Sequence, residues 1–238
     1  HLLKTLRHRL ILKGELTVLE ELIAMNTNLS DHKIMAWLSP AYPIGSYSFS
    51  HGLEQAIESK IVSDKESLFE WICQILLFGS GRNDAILLAN AYRSSQEKLG
   101  PLIEFAEAFA GTKERHLETV QQGMAFAKIT ASVYDISIPP CPLPIAVGYA
   151  SKIENIDLRK LSPLYLHAFV SNLISVAVRF IPIGQTEGQK VLFCLFDTIE
   201  DIAKKTIDLE LDDLCNSCFL SDIDAMKHET MTTRIFRS

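Results

Sequence analysis

The stretch Ser39-Pro40-Ala41-Tyr42-Pro43-Ile44-Gly45-Ser46-Tyr47-Ser48-Phe49-Ser50-His51-Gly52-Leu53-Glu54 gathers two prolines, two glycines, four serines and three aromatics in 16 residues. That composition makes a stiff loop running into a helix start, with Ser46, Ser48 or Ser50 placed to close the first helical turn. A phosphate cradle of the Walker type ends in Gly-Lys-Ser/Thr, and no lysine occurs between Met35 and Ser59, so the loop is not a nucleotide site. Cys215-Asn216-Ser217-Cys218 has the spacing of half a zinc site, but no second pair follows to complete four ligands. Read with its apolar neighbours Leu214, Phe219 and Leu220, it places two small hydrophobes on a helix near the core. His228-Glu229 begins like a zinc-protease helix, yet Thr232 stands where the second histidine is needed. His51, His116 and His167 are isolated in sequence, and neither Gly-x-Ser-x-Gly nor a strand to carry it is present. A metal-dependent hydrolase using His51, Glu54, His228 and Glu229 is the enzymatic alternative, and its ligand spacings are wrong. With no visible catalytic carrier, the small and apolar residues of these segments suit docking surfaces better than a cleft for bond breaking.

Such residues must be held by helices, because the apolar pattern repeats at three and four throughout. Ser63 with Glu66 reads as a capping box that opens a helix with the stripe Leu68, Trp71, Ile72, Ile75 and Leu76. Gly79 and Gly81 punctuate. Ala85, Ile86, Leu88, Ala89 and Tyr92 carry a second stripe, which Gly100-Pro101 breaks. Leu102, Ala106, Phe109 and Ala110 give a third. Thr112 caps the next helix, whose buried stripe is expected at Leu117, Val120, Met124 and Ala127. Pro139, Pro140, Pro142 and Pro144 forbid helix and ladder alike and form a connector inside one core. After Pro163, Leu164 to Phe180 is apolar on nearly every face and should be the spine of the bundle. Pro182 and Gly184 end it, and Thr186 with Gln189 opens a helix running through Ile202. The fold class is all-α: a single-domain bundle of roughly ten helices.

Composition narrows the function. Against 29 acidic residues stand 23 basic ones, a net charge of −6, so a binder of nucleic-acid phosphates is a poor reading. No membrane span is expected, since the longest apolar stretch, Leu161 to Ile183, contains His167, Ser171, Asn172 and Arg179. Five cysteines in mostly apolar runs point to a reducing compartment and a cytoplasmic location. Residues 1–34 are set apart as an N-terminal extension from a domain covering 35–238. Within the extension, Val18, Leu19, Leu22 and Ile23 are weakly helical, and Met25 is the alternative natural start.

The loop Ser39 to Glu54 closely resembles the signature Ser-Pro-Ala-Phe-Pro-Val-Gly-Gly-Phe-Ser-Tyr-Ser-His-Gly-Leu-Glu of the urease accessory protein UreF family. Ser171-Asn172-Leu173-Ile174-Ser175-Val176-Ala177-Val178-Arg179 and Pro182-Ile183-Gly184-Gln185-Thr186-Glu187-Gly188-Gln189 resemble its second block. Met226-Lys227-His228-Glu229 with Arg234-Ile235-Phe236-Arg237-Ser238 resembles its third. The resemblance implies an all-helical, non-enzymatic, homodimeric scaffold without tightly bound cofactor, acting in GTP-dependent nickel insertion into urease. Its implied partners are the accessory protein UreD/UreH, the GTPase UreG and, through that complex, the urease apoprotein. The implied partner-binding residues are Pro43, Gly45, Ser48, His51, Gly52 and Glu54 in the first block, Gln185 in the second, and Met226, His228, Glu229, Arg234, Phe236 and Arg237 in the third. The C-terminal segment is implied to be loose alone and ordered on assembly, with Arg234 and Arg237 as polar anchors.

Charge and burial offer a reason for such a tail. Six acidic residues and no basic one lie between Asp208 and Asp224, followed by Lys227, Arg234 and Arg237 beside Met226, Met231, Ile235 and Phe236. That is an interface core with an ionic rim. A terminal segment with few apolar anchors is expected to fray, since ordering costs about 1–2 kcal/mol per residue. Ser46 stands where the family has a second glycine, and Thr232-Thr233 replace an aromatic-and-serine pair.

Overall fold

Three-and-four periodicity becomes helix nearly everywhere it occurs. The computed structural model describes residues 29–238, and the chain divides between Trp37 and Leu38 into two units. Residues 29–37 are helical and belong to the first; the pattern at Val18, Leu19, Leu22 and Ile23, the alternative start at Met25 and most of the 1–34 extension lie outside the described residues. The second unit carries ten α-helices: α1 (Leu53–Glu58), α2 (Lys65–Phe78), α3 (Ser80–Arg93), α4 (Gln96–Phe109), α5 (Lys113–Tyr134), α6 (Leu143–Ile153), α7 (Leu158–Phe180), α8 (Gln185–Cys194), α9 (Phe196–Thr206) and α10 (Phe219–His228). Two 3-10 turns, Ser46–Ser48 and Leu211–Asp213, complete it, and no strand occurs among the described residues.

The stripe of α2 is buried as its spacing demands, with Leu68, Ile72 and Leu76 wholly out of water. Each such side chain is worth about 1.5–3 kcal/mol. The cap sits one residue later than Ser63 and Glu66 suggest: Asp64 accepts from the Ser67 amide at 2.8 Å, while Ser67 Oγ accepts from the Asp64 amide at 3.1 Å. A serine at the third helical position closes the reciprocal box as a glutamate would. Asp64→Ala should cost about 1 kcal/mol, read as a lower urea midpoint at unchanged slope. Thr112 caps α5 as expected, accepting from the Arg115 amide.

Two prolines do not break where local rules place the break. Pro101 lies inside α4 and Pro163 inside α7, each at the sixth helical position. There the missing N–H forgoes one bond near the start of the helix, a cost that burial of the helix face outweighs. The break before α4 falls instead at Ser94-Ser95, and α7 begins at Leu158 behind an Asp157 cap. The expected Thr186–Gln189 box is replaced by an uncapped start at Gly184, and the helix expected through Ile202 turns at Leu195, whose amide bonds the Leu192 carbonyl at 3.0 Å.

α7 is the spine, packed by α1, α2, α3, α6, α8 and α9. By length and composition it would reach across a membrane, but half of its apolar window is buried inside the bundle, which is the position of a central core helix. The proline cluster is a connector only as far as Pro142; against expectation Pro144 lies within the first turn of α6, where a missing N–H is harmless, so the cluster leads into a helix. From there α6 lies against both α3 and α5 at glycine contacts, Gly148 over the Leu88 carbonyl and Gly123 over Cys141.

Candidate partner-docking site

The loop before α1 is built by three consecutive demands on backbone geometry. Gly45 and Gly52 take the left-handed conformation, with φ of 75° and 76°, and His51 joins them at 58°. Gly52 also lies close under α10, where an added Cβ would meet the Ala225 amide nitrogen at 3.0 Å. Ser46 simply starts the 3-10 turn, so the serine in place of the family's second glycine meets no positive-φ requirement.

This loop receives the end of the chain. The Arg237 amide donates to the Ser48 carbonyl at 2.8 Å, and the Ser50 amide and Oγ both donate to the Ser238 carbonyl at 2.5 Å. Glu54 accepts from two successive amides, Ile235 through Oε1 at 2.8 Å and Phe236 through Oε2 at 3.0 Å. Phe236 is 3% exposed, packed on the Phe180 ring at 5.6 Å with the Arg179 guanidinium 5.8 Å from its centroid. The expectation of a tail frayed without a partner is therefore corrected: one aromatic anchor, one carboxylate with two amide donors, and the bonds of Ser48 and Ser50 to Arg237 and Ser238 hold it to its own chain.

Behind the tail lies a buried polar network around two histidines. His228 is 0% exposed and bridges two carboxylates, Nε2 to Glu54 Oε2 and Nδ1 to Glu114, both at 2.9 Å. Burial works against charge on the ring, but the hydrogen bonds and charge of Glu114 and Glu54 outweigh it and raise the pKa above the usual histidine value. Arg234 reaches back to Glu114 Oε1 at 3.1 Å. His51 joins Glu118 through Nδ1 at 2.9 Å and Ser80 Oγ through Nε2 at 2.6 Å. Glu118 also faces Arg115 at 3.6 Å, and Arg115 donates to Asp84 at 2.6 Å, where Tyr165 donates a second bond at 2.9 Å. Burial alone would push the Glu118 carboxyl up; His51 and Arg115 overcome it and hold the pKa below the ordinary value.

α5 supplies two acids of this network, Glu114 and Glu118, and with the face opposite to the one its apolar pattern suggests. Of the expected stripe Ala127 is buried and Val120 half-buried, but Leu117 and Met124 are exposed, whereas Glu114, Glu118, Gln122, Phe126 and Thr130 are buried. Each is four residues from the last, one stripe along the helix, and it is mostly polar. Glu114, Glu118, Arg115, Asp84 and Tyr165 are thus residues that local periodicity misses. The only local hint is the i, i+4 pair of glutamates behind the Thr112 cap, which reads equally well as a solvated face.

Ser48, His51, Gly52, Glu54, His228, Arg234, Phe236 and Arg237 come together at this junction. Gly45 shapes the loop, and Glu229 ends α10. Pro43 and Gln185 are exposed and contribute no atom to the network. Of the four residues of the hydrolase alternative, Glu54 and His228 meet, but His51 turns to Glu118 and Ser80. No group of three or more His, Cys, Asp or Glu able to hold a metal ion occurs among the described residues. Cys215 and Cys218 are not on a helix face in the core; they bound a loop clamped by Asn83, which donates to the Cys215 carbonyl and accepts from its amide. All five cysteines are free thiols.

Beyond the network, α10 and the tail expose apolar side chains. Phe219, Leu220, Ile223 and Met226 form an exposed face of α10, with Met226 51% exposed, and Ile235 is 73% exposed. Ile235 also lines a groove of about 690 Å³ with Ile57, Phe180, Lys227, Met231 and Glu54.

The sequence model of the UreF family matches residues 62–196. A protein of Cereibacter sphaeroides named urease accessory protein UreF is 43% identical over 205 residues, 86% of this chain and 97% of that protein. One of the same name from Roseobacter denitrificans is 43% identical over 202 residues, 85% of this chain and 91% of its own length. Another, from a Bradyrhizobium species, is 37% identical over 219 residues, covering 87% and 91%.

Proposed function

Because the chain belongs to the UreF family of urease accessory proteins, we propose that it is a scaffold that holds the UreD/UreH accessory protein and the GTPase UreG together during GTP-dependent nickel insertion into urease. It is an accessory protein of urease maturation and not an enzyme. Nickel is the cargo of the complex, with none held tightly by this chain, and the working form is a cytoplasmic homodimer.

The observation that carries the scaffold reading is the apolar face of α10 followed by the docked tail. Four neighbouring large hydrophobes turned to water, next to a groove edged by Glu54 and Lys227, make an apolar centre with an ionic rim. Arg234 suits the rim, with its side chain 43% exposed while one guanidinium nitrogen is tied to Glu114.

Co-purification with the two partners, followed by GTP hydrolysis and urease nickel content, tests the reading. Arg234→Ala should weaken recruitment of the GTPase about tenfold, close to 1.4 kcal/mol, and lower the nickel content, with helical circular dichroism unchanged. Normal urease activation by that variant would reject the assignment of Arg234. Failure of the wild-type chain to co-purify with either partner would leave it a structural helical subunit without a part in metallation.

A further inference from the structure

The two carboxylates that face His228 share a second task. Glu54 grips the tail through the Ile235 and Phe236 amides, and its Oε2 accepts from both His228 Nε2 and the Phe236 amide. Glu114 grips the same tail through Arg234, and its Oε1 lies within 2.9 Å of His228 Nδ1 and 3.1 Å of Arg234. Every polar hold that the network has on residues 234–236 therefore passes through a partner of one imidazole ring.

We propose that His228 is a proton-operated latch: protonated on both nitrogens it clamps Glu54 and Glu114 in the positions that hold residues 234–236, and loss of its proton loosens those three residues while the Ser48–Arg237 and Ser50–Ser238 bonds keep the last two in place. A neutral imidazole has one N–H and one lone pair. With a carboxylate at each nitrogen and no exposure to water, the lone pair must face an anion, an arrangement a buried site does not tolerate. One carboxylate has to move. Departure of Glu54 strips the acceptor from the Ile235 and Phe236 amides, and departure of Glu114 takes Arg234 with it, so either route ends at the tail.

The charges around the ring are few. α1 presents Glu54, α5 presents Glu114, and the tail presents Arg234. On α10 itself Asp224 lies one turn earlier, 3.6 Å from Lys227. Glu118, one turn along α5 from Glu114, is engaged by His51 and Arg115. Since the folded state favours the cation, the latch is fully closed below the ordinary histidine value of about 6.5 and opens as pH rises through the raised value. The device belongs to the isolated chain and does not rest on any partner.

The test is a nuclear magnetic resonance titration of the full chain from about pH 6 to about pH 9, following the His228 ring and the Ile235 and Phe236 amides together. The ring and both amides should report one shared midpoint above about 6.5. Glu114→Gln removes one anion while leaving Glu54 on the tail amides, and should lower both midpoints together by about one pH unit, a tenfold weaker hold on the proton. Amides that stay unchanged while the ring titrates would overturn the latch, as would release at a midpoint that Glu114→Gln leaves in place. Should that variant fail to fold, the wild-type titration alone still decides.

Discussion

Gly123→Ala should destabilise the chain by about 3 kcal/mol or more, one of the largest effects expected of a single added methyl group. A Cβ at position 123 would lie 1.9 Å from the Cys141 carbonyl oxygen and 2.7 Å from both the Leu143 nitrogen and the Pro142 carbonyl carbon. All three are backbone atoms, so no rotamer change relieves the clash. Nor can the opposing segment slide, because Pro142 and Pro144 stiffen the entry to α6. α5 and α6 would have to separate, opening the seam beside Phe126, which is wholly buried. Gly100 is the control: an added Cβ there meets nothing within 4 Å, and Gly100→Ala should stabilise α4 by up to about 1 kcal/mol. Urea unfolding of the two variants side by side checks the pair, and a Gly123→Ala chain within 1 kcal/mol of wild type, to the roughly 10–15% accuracy of extrapolation, would refute the close-approach argument.

Arg115→Met is the second large effect, about 3–5 kcal/mol, because it leaves two buried anions without their cation. Asp84 would keep only the Tyr165 hydroxyl, and Glu118 only His51 and Gln122. Arg115 itself is held more firmly protonated than usual: burial opposes its charge, and Asp84 and Glu118 overcome that. The loss carries a pH signature whose sign follows from Glu118. A carboxylate with a lowered folded pKa contributes stability above its unfolded value, about 4.3, and loses it as pH falls through the folded one. Without Arg115 that depression shrinks, so the gap between variant and wild type should narrow as the pH is taken below about 4.3. Adding Asp84→Leu should cost less than the two single losses summed, since the second substitution removes an anion the first had stranded. A gap independent of pH, with additive losses, would show that Arg115 acts only by filling space.

The latch and the network bear on the proposed scaffold in different ways. Asp84, Arg115, Glu118 and Tyr165 lock α3, α5 and α7 to one another and give the bundle one arrangement. Glu54, Glu114 and His228 lock a short segment that carries Arg234 and Ile235, residues that face solvent. The proposed scaffold would pair a fixed core with an adjustable strip, and Arg115→Met and Glu114→Gln, each touching one of the two groups, separate their contributions.

Amino-acid order alone determined the helical class, the α2 stripe, the α7 spine and the family blocks. Each rests on residues within a turn or two of one another, where backbone sterics and apolar spacing act locally. Local rules failed at Pro101 and Pro163, where burial of a whole helix face outweighed one missing hydrogen bond, and on α5, where Leu117 and Met124 of the expected stripe lie outward. Only the tertiary structure decided that Glu114 and Glu118 are buried, because the partners that make burial tolerable are distant: His228 stands 114 residues from Glu114 and 174 from Glu54, and His51 stands 67 from Glu118. A buried charge is stable only beside its counter-charge and bonds, and which charges meet is a property of chain topology that no local spacing encodes.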